Sequence, residues 1–262
     1  MMIDSCAYIG HYPFRKTPAR TAAELVARMD VLGIDCAVVS SVQGIYYRDM
    51  MDGNEELFGE IAPYRDCLIP AANANPVYPC AMEDLERCVR EAGCREIRFW
   101  PRQTDVSPDH DAYTALLRRC GELGVPAGFS VALEDVRGRH PLDIRTLVTP
   151  EELARAAMAA PQTDFVIHNA PGIAYAKALC ALERPGRCWF DMGKLDSLYA
   201  ATLEELIGTA GIDRVLFGSS APLQYAEPQF VKLQAYADAY GIPQEELDKI
   251  TFRNAQELYK IG

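Results

Sequence analysis

Positive charge is in short supply in this chain. Its 262 residues carry 26 Lys and Arg against 37 Asp and Glu, a formal charge of -11. A surface of that sign repels nucleic acid and anionic membranes, so neither is expected as a partner. No Gly-x-Gly-x-x-Gly turn follows the first strand candidate, which argues against a dinucleotide-binding sheet. No Cys-x-x-Cys pair occurs, which argues against a zinc knuckle. No apolar run approaches the length of a membrane span. The opening Met-Met-Ile-Asp offers neither a basic nor an apolar leader, so a soluble, cytoplasmic protein is expected.

What is present is a well-mixed chain, 49% hydrophobic and 24% charged, able to bury a large core. Nine cysteines invite a disulfide reading. Several sit inside apolar patterns, such as Cys36 before Ala37-Val38-Val39, so reduced, buried thiols are expected instead.

Short apolar runs alternate with amphipathic stretches along the whole chain. Eight strand candidates stand out: 2–6, 36–40, 68–72, 96–100, 125–131, 164–168, 188–191 and 214–218. Helical patterns fall at 21–32, 82–92, 112–123, 151–160 and 203–210. Thr149-Pro150-Glu151-Glu152 has the chemistry of a helix start. Strands buried on both faces and separated by helices imply a parallel sheet. Eight such units in this length predict an α/β fold, a single (β/α)8 TIM barrel spanning 1–262. Chemistry in such a barrel sits at the C-terminal ends of the strands, which draws attention to Cys6, Tyr8, Ser40, Asn73, Trp100, Ser130, His168, Asp191 and Ser219-Ser220.

Ile3-Asp4-Ser5-Cys6-Ala7-Tyr8-Ile9-Gly10 has the frame of Ile-Asp-x-His-x-His-x-Gly, with Cys6 and Tyr8 at the histidine positions. Gly93 to Phe99 matches a Gly-x-x-x-x-Arg fourth strand. Phe217-Gly218-Ser219-Ser220-Ala221-Pro222 matches Phe-Gly-Ser-Asp-x-Pro, and Asn254-Ala255 fits an Asn-Ala closing helix. On these motifs the chain resembles the amidohydrolase-related family, the metal-dependent hydrolases similar to aminocarboxymuconate-semialdehyde decarboxylase. The resemblance implies metal ligands on strands one, five, six and eight. Those positions hold Cys6, Tyr8, Ser130, His168 and Ser220, so one histidine survives, His168.

A catalytic metal takes about three protein ligands plus an open position. No cofactor is therefore expected. The remaining metal reading is a divalent ion such as zinc on His168 and Cys6. The catalytic candidates are His168, Cys6, Asp191 and Ser220. Cys6 with His168 suits a thiolate–imidazolium pair, and Asp191 suits a general base or a cap near Gly193. Tyr8, Arg98, Trp100 and Ser130 are the substrate-binding candidates, Arg98 and Trp100 sharing one strand face. Tyr46 falls in a loop that can line the mouth or serve an oligomer contact, so a homo-oligomer is one expectation. Two functions stand open. By resemblance the chain is a hydrolase or decarboxylase of a small organic acid, ester, lactone or amide. By its residues it is a non-catalytic small-molecule binder or regulatory pseudoenzyme.

Overall fold

The structure, a computed structural model of the chain, describes residues 1–134, 139–144, 146–195 and 200–261. Eight strands lie in the order of the sequence in one sheet: β1 (Ile3–Ile9), β2 (Cys36–Ser41), β3 (Leu68–Ala74), β4 (Glu96–Phe99), β5 (Ala127–Ser130), β6 (Phe165–His168), β7 (Cys188–Asp191) and β8 (Val215–Leu216). Every neighbouring pair is parallel. The barrel closes between its ends: Ser5 N donates to Phe217 O at 2.9 Å, Tyr8 N to Ala221 O at 2.8 Å and Ser220 N to Cys6 O at 2.7 Å. The predicted (β/α)8 barrel is what the chain forms.

The outer layer is α1 (Ala22–Leu32), α2 (Met50–Ile61), α3 (Ala81–Arg90), α4 (Asp111–Leu123), α5 (Pro150–Ala159), α6 (Ala174–Cys180), α7 (Ala200–Ala210) and α8 (Glu227–Tyr240). Thr21 and Thr149 each cap a helix in a reciprocal box with Glu24 and Glu152, so the start read at Thr149 is real. Helices α2, α6 and α8 fall outside the five stretches named from the sequence. In α2 the cause is Gly53 and Gly59, which weaken helical propensity. Gly53 lies against the backbone of Gly44, leaving no room for a side chain there.

After α8 come α9 (Gln244–Asp248), a π turn over Lys249–Arg253, and α10 (Asn254–Tyr259). Ala255, Leu258 and Tyr259 of α10 close the N-terminal end of the barrel against Ile3, Val38, Ala71, Val166, Trp189 and Leu216. All nine cysteines are free; five are buried, but Cys80 and Cys180 are exposed, which the sequence pattern did not anticipate. Among the described residues no helix is long and apolar enough to cross a membrane.

Candidate functional site

The interior polar site begins with an irregularity in β1. Ile3 and Asp4 pair with Cys36 and Ala37, but Ala7 pairs with Val39, so β1 carries one extra residue between Asp4 and Ala7. A bulge of this kind re-aims the side chains that follow it. Ile3 packs in the lower interior layer, while Cys6 and Tyr8 join the upper one with Trp100. The buried Asp4 carboxylate braces the bulge. Its Oδ1 accepts from Cys6 N at 3.0 Å and from Ser219 N at 2.9 Å, and its Oδ2 from the Ser219 hydroxyl.

Burial pushes the Asp4 carboxyl up from 3.8 to about 6, against the pull of its hydrogen bonds to Ser219 and Cys6. The folded state then holds this proton more tightly than the unfolded chain does. Asp4 therefore lowers stability as pH rises from about 4 to about 6. Asp4→Asn keeps the acceptor for both backbone donors. It is expected to flatten the thermal midpoint over that pH window, measured by circular dichroism. An unchanged wild-type slope in the variant would remove Asp4 as the cause.

At the centre stands His168, at the end of β6 and fully buried. Nε2 lies 2.7 Å from Glu96 Oε1, and Nδ1 lies 2.8 Å from Asp191 Oδ2. With an acceptor at each nitrogen, both bonds form only when the ring carries two protons. Burial alone would lower the pKa of His168, but Glu96, with Cys6 and Asp191, raises it well above its ordinary value. The direction of that shift, like the two carboxylates, favours the doubly protonated ring.

Glu96 binds three further donors. Arg98 Nε reaches its Oε1 at 3.3 Å and Arg98 Nη2 its Oε2 at 3.5 Å, and the Tyr259 hydroxyl donates to Oε2 at 3.1 Å. Desolvation would raise the Glu96 carboxyl; Arg98 and His168 overcome it and hold the group at about 2. Arg98 also donates to the carbonyls of Ala7, Ser5 and Val38 and to the Ser40 hydroxyl at 2.9–3.3 Å. Its guanidinium lies 5.5 Å from the Tyr8 ring centroid. Asp191 faces two partners: Oδ2 lies against His168, while Oδ1 accepts from Gly193 N at 3.0 Å.

Above this cage lies a second layer. The Cys6 thiol donates to the Tyr8 hydroxyl at 3.3 Å. Asn169 Nδ2 donates to Tyr8 at 3.4 Å and to Ser130 Oγ at 3.2 Å, and the Ser220 hydroxyl donates to Asn169 Oδ1 and lies 3.7 Å from Cys6 Sγ. Asn169 and Ser220 both adopt the left-handed region, at φ 58 and 59. Asparagine tolerates that conformation well and serine less so. Trp100 Nε1 donates to Asn73 Oδ1 at 2.9 Å, and Asn73 Nδ2 to Ser41 O at 2.7 Å.

Loops roof the mouth. Tyr12, Leu133 and Leu223 are buried with Cys6, Tyr8 and Trp100, and Phe14 and Tyr46 pack against them. Phe14 meets Tyr12, Tyr46 and His140 with ring centroids 5.4–5.7 Å apart. Arg15 fastens the roof through Glu134 at 2.8 Å and the Leu223 carbonyl.

All eight predicted site residues thus converge on one interior. Their donors and acceptors face one another, and all are buried, Ser130 being the most exposed of them at 7%. Glu96, Asn169 and Tyr259 were not singled out from sequence. One sequence signal did exist: a side chain at Gly128, mid-strand on β5, would overlap the Glu96 carboxylate. Glycine inside a strand pattern marks such close approaches.

The model of the amidohydrolase family (Amidohydro_2) matches residues 54–261. No curated protein matches the chain by sequence. Among solved structures, the chain is similar to 2,6-dihydroxybenzoate decarboxylase from Rhizobium, with TM-score 0.71 and 19% identity over 99% of this chain and 98% of that one. It is similar to 5-carboxyvanillate decarboxylase from Sphingomonas paucimobilis, with TM-score 0.76 and 12% identity over 100% and 99%. A dihydroxybenzoic acid decarboxylase from Polaromonas, solved with bound manganese, gives TM-score 0.74 and 17% identity over 99% and 97%. At these identities the likeness establishes the fold.

Proposed function

The chain belongs to the amidohydrolase family, and from that premise we propose that it keeps the family's barrel as a small-molecule-binding scaffold whose centre works without a metal ion. The observation that carries this reading is His168 held at both ring nitrogens by Glu96 and Asp191. A metal-binding imidazole needs one nitrogen bare of protons. Here each nitrogen faces a carboxylate.

The ligand atoms of Cys6, His168 and Asp191 do lie within 4.8 Å of one another. Proximity is not vacancy. A cation entering among them has to displace Glu96 or Asp191 from His168. Glu96 and Asp191 are paired with Arg98 and His168. A divalent ion held there has to release the proton of the imidazole and that of the Cys6 thiol, so its binding competes with both. Around the thiol stand the Tyr8 hydroxyl, the Asn169 amide and the Ser220 hydroxyl. The residues present do not fit the family's metal, and no reaction step is drawn through one.

The second reading, catalysis on a small organic acid, draws on the same three ligand atoms and on the substrates named for the structural neighbours. One experiment separates the two. Protein purified without chelator is analysed for metal, then offered 2,6-dihydroxybenzoate with added manganese. Well under one equivalent of metal and no carbon dioxide release are expected. A full equivalent of zinc or manganese, or turnover, would establish the enzyme instead.

A further inference from the structure

Outside the barrel interior, three sulfurs meet where α2, α3 and the turn into β4 pack together. The Cys88 thiol on α3 donates to Met51 Sδ on α2 at 3.5 Å, and the Cys94 thiol hydrogen-bonds Cys88. Cys94 N also donates to Cys88 O at 3.0 Å, which holds the two residues side by side. We propose that Met51, Cys88 and Cys94 form a binding site for copper(I), a soft monovalent ion. The inference does not depend on the reading of the barrel centre.

The donor set decides the ion. Thiolate and thioether sulfurs select copper(I), whereas a structural zinc wants four ligands drawn from thiolate, imidazole and carboxylate. Asn54 Nδ2 donates to Met51 Sδ at 3.8 Å and to Cys88 Sγ at 3.9 Å. That amide is locked by Asn73, whose backbone N–H and carbonyl each bond it at 2.8 Å. Hydrogen bonds to a ligand atom from outside the coordination shell fix its position. Met51, Asn54, Cys88 and Cys94 are all buried.

A way in lies beside them. A cavity of about 20 Å³, room for one water or a bare ion, is lined by Met51, Asn54 and Cys88. Asp49 and Asp84, both half-buried, share that lining, and none of the lining residues is basic, which favours the entry of a cation. Burial and Cys88 hold the Cys94 thiol well above its ordinary value, and Arg65 pulls it the other way. Copper(I) takes the place of the two thiol protons, which leave to solvent, while the Met51 sulfur lends a lone pair. Two thiolates and one cation leave a single net negative charge, and the Arg65 guanidinium beside Cys94 faces it.

Anaerobic titration of the full chain with copper(I) against a chromogenic copper(I) chelator tests this on wild type, Met51→Leu, Cys88→Ser and Cys180→Ser. Wild type is expected to withhold one equivalent from the chelator, with sulfur as its only ligand in X-ray absorption. Cys180→Ser, which alters an exposed thiol, is expected to withhold the same equivalent. Cys88→Ser is expected to lose it. Met51→Leu keeps an apolar side chain and an unchanged thermal midpoint, and is expected to weaken binding about tenfold or more. Excess zinc is expected not to displace the copper. No withheld equivalent in wild type, or wild-type affinity in Met51→Leu, overturns the proposal. A nitrogen ligand to the copper places the ion on a histidine, His168 included, and overturns it equally, as does displacement by zinc.

Discussion

Glu96→Gln is expected to destabilise the protein by about 3–5 kcal/mol, the range for removing one partner of a buried ion pair. The substitution barely changes volume, so the loss is electrostatic. Arg98 and His168 would remain, both fully buried, with their shared anion gone. The imidazole can answer by releasing its proton, whereas the guanidinium cannot. Urea unfolding at pH 7 measures the loss. A second consequence follows from the carboxyl being held at about 2. A folded pKa below the unfolded one makes Glu96 stabilising above about pH 4.5, with that stability lost as pH falls toward 2. The variant should lose this part of the acid limb. A loss under about 1 kcal/mol, within what an ordinary surface change produces, would mean that the cage is not held by its charges.

Arg98→Met is the second large effect, again about 3–5 kcal/mol. Methionine fills much of the volume but leaves the carbonyls of Ser5, Val38 and Ala7 without their donor. Those carbonyls belong to β1 and β2, so Arg98 ties three strands together from inside the barrel. Because Glu96 and Arg98 are in contact, the two losses should not add. The double variant is expected to be more stable than the sum of the singles predicts, by more than about 1 kcal/mol of coupling. Full additivity would show that Arg98 acts only through the carbonyls.

The barrel was legible because its signal repeats. Eight apolar runs separated by helices leave few alternatives, and no single boundary decides the outcome. Boundaries were less legible. β1 runs on to Ile9 and β8 shrinks to Val215–Leu216. There the backbone bonds of Phe217 and Ser220 go to Ile250 and Cys6 outside any regular ladder, and no side-chain pattern encodes that. The site was legible at the positions where the family frame places histidines and acids. That frame brought Cys6, Tyr8, Ser130, His168 and Ser220 to one place, and strand-end position added Asp191. It could not deliver Glu96, which holds His168 from a strand that carries no ligand position in the frame. Nor could it show that Arg98 points into a closed interior. Whether an arginine meets solvent or six internal acceptor atoms depends on neighbouring strands, Ser5 and Val38 among them, and not on its own sequence context.

The most direct test of the central claim is nitrogen NMR of the His168 imidazole in uniformly labelled protein near pH 7.5, recorded before and after adding zinc. Two protonated ring nitrogens, unmoved by the metal, are predicted, since Glu96 and Asp191 each accept one of those protons. A bare ring nitrogen in the free protein, or a signal that shifts as zinc binds, would contradict the account and return His168 to the role of a metal ligand.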